Sequence, residues 1–229
     1  DNPFSAQFDD EAYKILVRHI NNEIDLFRED NIPLFTKINT EPNKFSSISS
    51  EMSIKYKGNE LTLQQASKYL ENPDREVRKE VYDLITKRRL KDKTKLDDLF
   101  SSLVQLRTKV ARNAGFDNFR DYKFVSLGRF DYTIEDNLAF HESIREELVP
   151  VLKEIHRNRK NELGVDSLRP YDLNVDPSGK PPLQPFEETS ELIDGSINVF
   201  DRLGGLGFYL KTMQENSYLD LGSRKGKAP

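Results

Sequence analysis

The spacing of apolar residues predicts α-helices along most of the chain. Apolar side chains recur every three or four residues over 9–28, from Val77 to Leu84 and from Leu96 to Val110. This period places them on one face of a helix. A shorter helix is predicted for Leu34 to Ile38, and a long one begins near Thr133. We therefore expect a mainly α fold.

One segment shows the two-residue period of a β-strand instead. Apolar and basic residues alternate over 54–57, Gly58-Asn59 supplies turn residues, and apolar residues alternate again over 61–63. This pattern is typical of two short strands joined by a tight turn. It predicts one small β-hairpin near residues 54–63.

Residues typical of helix ends give boundaries for several of the helices. Thr62 has a glutamine three residues later, which predicts a capping box and a short helix directly after the hairpin. Asn72-Pro73 is typical of an N-cap followed by proline at the first helical position, and Gly115 is typical of a C-cap. A second capping pattern at Thr133 opens a long helix that Pro150 is expected to kink.

Two segments are predicted to be loops. Ser46–Ser50 is rich in serine, and the segment 176–186 contains four prolines and one glycine, which excludes a regular helix. The last two helices are predicted for 189–203 and 208–214. The glycines of Leu203–Gly207 are expected to separate these helices rather than to bind phosphate, because the lysine and hydroxyl residue of a phosphate loop are missing.

The composition narrows the class of protein. The 229 residues include 35 Lys and Arg against 39 Asp and Glu, so the formal net charge is −4. The lack of cysteine excludes disulfide scaffolds, thiol nucleophiles and cysteine-based metal sites. No apolar run approaches the roughly 18 residues of a membrane-spanning helix, and no signal-peptide pattern occurs. We expect a cytoplasmic protein that binds neither membranes nor nucleic acid.

The three histidines are the first candidates for metal chemistry. They are His19, His141 and His156. His141-Glu142 opens the zinc motif H-E-x-x-H, in which two histidines four residues apart hold the metal. Arg145 stands where the second histidine belongs, and a guanidinium does not bind zinc. His141 lies on the apolar stripe of its predicted helix, so we expect it to face the core. No histidine is assigned as a ligand.

Other candidate motifs have simpler structural interpretations. The segment from Lys87 to Lys95 holds six bases and one acid. We interpret it as a solvated helix face or a corner between helices, since a nucleic-acid-binding patch would need neighbouring aromatic residues and a basic domain. Pro182–Pro185 fits the P-x-x-P pattern but is expected to be a rigid loop. No G-x-S-x-G elbow occurs, so no catalytic triad is assigned.

Several distinctive segments follow one another along the chain. They are Arg112–Phe116, Asp117–Tyr122, Leu127–Tyr132, Leu168–Leu173, Pro181–Leu183 and Asp220–Pro229, with the less specific Gly58–Leu63 and Asp74–Arg78 upstream. In these segments the chain resembles the oligoendopeptidase F family of zinc metallopeptidases, which are relatives of thimet oligopeptidase. The resemblance covers most of the sequence.

This resemblance implies a mainly helical, two-lobed protein whose deep channel admits short unstructured peptides. Residues 1–95 would form an N-terminal helical lobe, and residues 96–229 would form the opening part of the catalytic lobe. In the family, the H-E-x-x-H histidines and a downstream glutamate hold zinc, which activates water for attack on a peptide bond. None of these residues maps onto this chain. We therefore assign no catalytic, cofactor-binding or metal-binding residue.

The resemblance gives a leading hypothesis and leaves an alternative open. The leading hypothesis is a fragment of a zinc-dependent oligoendopeptidase that is inactive by itself and packs against the remaining catalytic lobe. This expectation also rests on the chain's start at Asp1 without methionine and its end in a basic segment. The exposed face of such a fragment would favour self-association. The alternative is a noncatalytic helical module that binds a peptide or a partner helix.

Overall fold

The computed structural model describes residues 10–227 of the chain and confirms the mainly α fold with one small hairpin. The strands are β1 (Ser53–Tyr56) and β2 (Asn59–Thr62). The helices are α1 (Asp10–Leu26), α2 (Ile32–Thr40), α3 (Pro42–Ser50), α4 (Leu63–Ser67), α5 (Arg75–Leu90), α6 (Lys93–Asn113), α7 (Phe119–Ser126), α8 (Ile134–Ser143), α9 (Val149–Glu162), α10 (Thr189–Arg202) and α11 (Gly207–Glu215). Within 10–227, no helix combines the length and apolar character needed to cross a membrane.

The chain divides into two compact units. The first unit contains residues 10–46 and 92–157, and the second contains residues 47–91 and 158–227. Each unit is therefore built from two separate stretches of sequence. The expected division into two lobes near residue 95 stays a prediction.

The core of the first unit lies where α2, α6 and α7 meet. Its buried apolar residues are Leu34, Val110, Ala111, Ala114 and Tyr122. One buried polar residue joins the layers, because the Asn31 amide donates to the carbonyl of Val110 at 3.1 Å. The amide of Asn113 in turn donates to the Asn31 side-chain oxygen at 2.8 Å. These bonds satisfy the polar groups that burial removes from water.

The core of the second unit lies between the hairpin, α4 and α5. Its buried apolar residues are Ile54, Tyr56, Ala66, Val81 and Ile85. The hairpin is antiparallel, and Tyr56 pairs with Asn59 at its closed end. The turn residues Lys57 and Gly58 have φ values of 48° and 83°. Two positive φ values are what a two-residue turn requires to match the twist of its strands.

The predicted caps at Thr62, Thr133 and Gly115 are confirmed. The Thr62 hydroxyl accepts from the Gln65 amide at 3.2 Å, and the Gln65 side chain accepts from the Thr62 amide at 2.9 Å. Thr133 makes the same reciprocal pair with Asp136. Gly115 follows α6 with a φ of 89°, the left-handed conformation that ends many helices.

Two predictions of local structure were wrong. Ser46–Ser50 is the second half of α3, not a loop. Pro42 begins this helix, at a position where an N–H would have no partner within the helix. At the other end, the Ser50 hydroxyl donates to the carbonyl of Ser47 at 3.0 Å. The N-cap of α5 is Asp74, not Asn72, because the Asp74 carboxylate accepts from the Glu76 amide at 2.9 Å.

The long helix after Thr133 is interrupted just before its proline. A π-helical turn spans Ile144–Leu148 and joins α8 to α9. The Val149 amide donates to the carbonyl of Ile144, five residues earlier. Pro150 lacks an N–H and cannot continue the ordinary ladder, so a locally widened turn accommodates it. The predicted loop at 176–186 and the glycine break before α11 are also present.

Candidate functional site

The three histidines lie on three different helices, His19 on α1, His141 on α8 and His156 on α9. The His19 ring packs on Phe130, with ring centroids 6.0 Å apart. It lies so close to Gly128 that a side chain there would meet its Cε1 atom at 2.4 Å. His141 is exposed on α8, so the expectation that it faces the core was wrong. The apolar stripe of its helix is itself largely exposed, as Leu138 illustrates.

The acidic and histidine side chains that the structure describes are not arranged as a zinc site. Among residues 10–227, no group of three His, Cys, Asp or Glu side chains is placed to hold a metal ion. Arg145, which replaces the second histidine of the motif, forms an ion pair with Glu142 instead.

The most buried polar centre of the second unit surrounds Asp172. Its carboxylate accepts from Arg75 Nε at 3.0 Å and from Arg75 Nη2 at 2.9 Å. Arg78 Nη2 donates to the same carboxylate at 3.0 Å, and the Arg169 amide donates at 2.9 Å. Asp172 is fully buried, and the Arg78 side chain is 2% exposed. We call these residues the Asp172 centre.

Arg78 also donates hydrogen bonds to carbonyl groups of two separate backbone segments. Its Nε donates to the carbonyl of Tyr171 at 3.0 Å, and its Nη1 donates to the carbonyls of Asn72 and Pro73 at 2.8 and 2.9 Å. All three nitrogens of this guanidinium therefore donate to carbonyl or carboxylate oxygens. Hydrogen bonding of this extent compensates for the cost of burying an arginine.

The electrostatics of the Asp172 centre favour a carboxylate that is ionised at neutral pH. Burial alone would raise the pKa of Asp172, but the hydrogen bonds from Arg75, the Arg169 amide and Arg78 outweigh it and lower the pKa to about 2. The pKa of Arg75 is raised by the same bond. A carboxylate of this kind does not exchange protons near neutral pH, so it is unsuited to general acid–base catalysis. Its role is to hold the 3₁₀ turn Pro170–Asp172 against α5.

The segment 220–227 is fixed to the hairpin. The Ser223 hydroxyl lies 3.0 Å from the Thr62 hydroxyl, and the Ser223 carbonyl accepts from the Gln65 side chain at 3.3 Å. Lys225 pairs with Glu60 at 3.3 Å, and the Gly226 amide donates to the carbonyl of Ser50 at 2.8 Å. Contacts from β2, α3 and α4 therefore set the path of this glycine-containing segment.

A comparison with known protein families identifies the chain. The sequence profile of peptidase family M3 matches residues 68–228, which is well over half of the sequence. This chain belongs to peptidase family M3. The match includes all the residues of the Asp172 centre, and it also includes the segment 220–227. No curated protein matches the M3 chain significantly.

Solved structures share the fold of this M3 chain. PZ peptidase A, solved with an inhibitor, has 26% sequence identity and a TM-score of 0.86 over 100% of this chain and 41% of its own. A protein described as oligoendopeptidase F from Bacillus anthracis has 24% identity and a TM-score of 0.85 over 99% of this chain and 42% of its own. The M3 chain therefore spans about two fifths of the length of these proteins.

The sequence singled out the two segments that form the Asp172 centre, but it did not indicate that they contact each other. Asp74–Arg78 and Leu168–Leu173 were both among the segments that resemble the family. Nothing in their local pattern indicates that a carboxylate in one pairs with two arginines in the other. An unusual arginine at the buried face of α5, one turn before Val81, is the only signal that could have been used.

Proposed function

We propose that this chain forms part of a zinc-dependent oligoendopeptidase. In this proposal it contributes the N-terminal lobe, residues 1–95, and the opening part of the catalytic lobe, residues 96–229. It would line a channel that admits short unstructured peptides, and it would pack against a catalytic remainder. The zinc ligands and the residue that activates water would lie in that remainder, and the protein would act in the cytoplasm.

The observation that carries this proposal is the family match over 68–228. Support comes from the similarity in fold to PZ peptidase A over the whole of this chain. The sequence contains no H-E-x-x-H, because Arg145 interrupts the one partial copy at His141. This supports the part of the proposal in which the 229 residues do not cleave peptides by themselves.

The proposed contribution of this chain is architectural. The Asp172 centre joins the turn at 170–172 to α5 through an ion pair that is shielded from solvent. The contacts of Ser223 and Gly226 fix segment 220–227 beside the hairpin. Rigid elements of this kind hold the walls of a binding channel in a defined position, which is what a preorganised site requires.

Two measurements test the proposal. The first is the intact mass, with peptide mapping, of the polypeptide from its natural source. We expect a much heavier species that continues into H-E-x-x-H, contains zinc and hydrolyses a fluorogenic peptide in a chelator-sensitive manner. A natural product that ends at Pro229 would instead favour the noncatalytic binding module.

The second measurement uses the 229-residue chain alone. We expect substoichiometric zinc by elemental analysis and no hydrolysis of the same fluorogenic peptide. If the purified chain held one tight zinc and cleaved the peptide, the assignment of the catalytic residues to a remainder would be wrong. The His141→Ala variant is the matched control, because this residue is the one histidine in a zinc-like motif.

A further inference from the structure

A proline-rich segment connects the Asp172 centre to α10 in the second unit. Residues 180–186 read Lys-Pro-Pro-Leu-Gln-Pro-Phe, and all seven are exposed. Leu183 is 96% exposed, which is more than any other large apolar residue in 10–227. We call these seven residues the proline strap. None of them belongs to the buried core of the unit, so packing does not explain their apolar character.

The composition of the proline strap favours the extended polyproline II conformation. Proline fixes its own φ near the polyproline II value, and it biases the residue before it towards the same region. Within the described residues, the strap contains no helix or strand, and no backbone hydrogen bond joins it to other backbone groups. Its peptide groups are therefore open to a partner, as they are in a polyproline II ligand.

Hydrogen bonds fix the chain at both ends of the proline strap. On the N-terminal side, the Gly179 amide donates to the carbonyl of Asp176 at 3.0 Å, and the Ser178 amide donates to the Asp176 carboxylate at 2.8 Å. On the C-terminal side, the Glu187 amide donates to the Glu191 carboxylate at 2.8 Å. A ligand that is already held in an extended shape loses little conformational entropy on binding. The rigidity expected of this loop thus favours a docking role.

Open space lies beside the two prolines that form the P-x-x-P pattern. Pro182 and Pro185 line a cavity of about 510 Å³, which Tyr69 and Pro73 also line. A polyproline II helix has three residues per turn, so Pro182 and Pro185 share one edge of the strap. Cavities of roughly 300–1,000 Å³ accommodate ligands of drug size. This cavity therefore leaves room for the aromatic side chains of a partner next to both prolines.

The charges at the two ends give the proline strap a direction. Lys180 precedes the prolines, and Glu187 and Glu188 follow directly after the strap. All three residues are exposed. A groove with an acidic residue at one end and a basic residue at the other matches these charges in one orientation only.

We propose that the proline strap docks into the aromatic-lined groove of a proline-binding domain in another protein, of the kind found in SH3 domains. Such grooves bind P-x-x-P segments in the polyproline II conformation. Aromatic rings of the groove pack on Pro182 and Pro185 from the side of the cavity, and an acidic residue of the groove pairs with Lys180. This inference goes beyond the proposed peptidase function and does not depend on it.

Fluorescence titration of an isolated SH3 domain with the 229-residue chain tests the proposal. The chain contains no tryptophan, so the emission of a tryptophan in the groove of the probe domain is recorded without background. We expect a saturable change in this emission. Pro182→Ala and Pro185→Ala should each weaken binding by about tenfold or more. The control Pro177→Ala changes a proline that lies outside both the P-x-x-P pattern and the cavity lining. It should bind like the wild type.

A synthetic peptide of residues 178–188 and an isolated WW domain complete the test. The peptide should displace the chain from the SH3 domain, and a failure to compete would overturn the proposal by placing the contact outside the strap. Saturable binding of the WW domain, with the same losses in Pro182→Ala and Pro185→Ala, would support docking into that kind of aromatic groove. Binding of neither domain would overturn the proposal. An equal loss in Pro177→Ala would do so as well.

Discussion

Arg78 and Asp172 form a 3.0 Å ion pair that is almost completely shielded from solvent, although 94 residues separate them in sequence. Burying two charges is costly, and their attraction compensates only when the remaining donors and acceptors are also satisfied. Here Arg75 and the Arg169 amide complete the bonding of the carboxylate. Removal of either member of the pair should therefore leave an uncompensated charge in the interior.

Replacement of the carboxylate should strongly destabilise the second unit. We expect Asp172→Ala to lower the free energy of unfolding by about 3–5 kcal/mol, because Arg78 would remain buried without its anion. Urea unfolding followed by circular dichroism measures the change. Asp166→Asn, at an exposed position six residues earlier, is the control and should stay within about 0.5 kcal/mol of the wild type. Wild-type stability in Asp172→Ala would contradict the role assigned to the ion pair.

Protonation of Asp172 should lower the stability of the folded protein in acid. The folded-state pKa of Asp172 is about 2, below its ordinary value of 3.8. The unfolded chain therefore binds the proton more readily, and the stabilisation is present above about pH 4 and is lost as the pH falls towards 2. A shift of this size corresponds to about 2 kcal/mol.

Urea unfolding at several pH values between 5 and 2.5 checks this acid dependence. The free energy of unfolding of the wild type should fall more steeply than that of Asp172→Asn, which has no carboxylate to protonate. Parallel curves for the two proteins would show that Asp172 does not contribute to acid sensitivity. The exposed carboxylates are common to both proteins, so their titration cancels in the comparison.

The contact between Gly128 and His19 predicts a second sensitive position. Gly128 has a φ of 66°, and an added Cβ would meet the His19 ring at 2.4 Å. Gly164 has a similar φ of 63° but open space around it. Gly128→Ala should therefore cost more than Gly164→Ala, for which we expect about 1 kcal/mol from the left-handed backbone alone.

A double-mutant cycle separates the clash from the backbone effect. In a His19→Ala background, the cost of Gly128→Ala should fall to that of Gly164→Ala, because the ring that opposes the new methyl group is gone. Thermal or urea unfolding of the four proteins provides the coupling energy. A coupling energy of zero would mean that the ring moves aside freely and that the contact has no energetic consequence.

Local features of the fold could be predicted because their causes are local. The capping box at Thr62 and the hairpin turn at Gly58 depend on residues within three or four positions of each other. The extent of α3 was missed because serine has only weak preferences and its back-bonding to Ser47 depends on the helix already being formed. Sequence patterns determine local geometry best where one conformation is much more favourable than the others.

The functional features could not be predicted in the same way because they depend on distant contacts. The partners of Asp172 lie on α5, and they reach the carboxylate only after the turn at 170–172 has packed on that helix. His141 illustrates the opposite case, since it shares an apolar stripe that the described residues leave exposed. Periodicity indicates which residues share a face but not what that face contacts.

The continuation of this exposed apolar stripe into α9 leads us to predict self-association of the chain. Leu148, Val151, Leu152 and Ile155 follow the spacing of a single helical face, and all four are exposed in the first unit. Contiguous apolar surface of this kind is typical of a contact with another chain or domain. We expect the 229-residue chain to form dimers or larger species as its concentration rises.

Sedimentation velocity over a range of concentrations measures this association. Leu152→Glu/Ile155→Lys introduces opposite charges on the stripe without changing the net charge, and it should shift the chain towards monomer by opposing burial of that face. The control Lys153→Glu/Glu154→Lys also preserves the net charge, but it changes exposed polar positions of the same helix. It should associate like the wild type. A monomeric wild type at high concentration would show that exposure of this face is insufficient to hold two copies together.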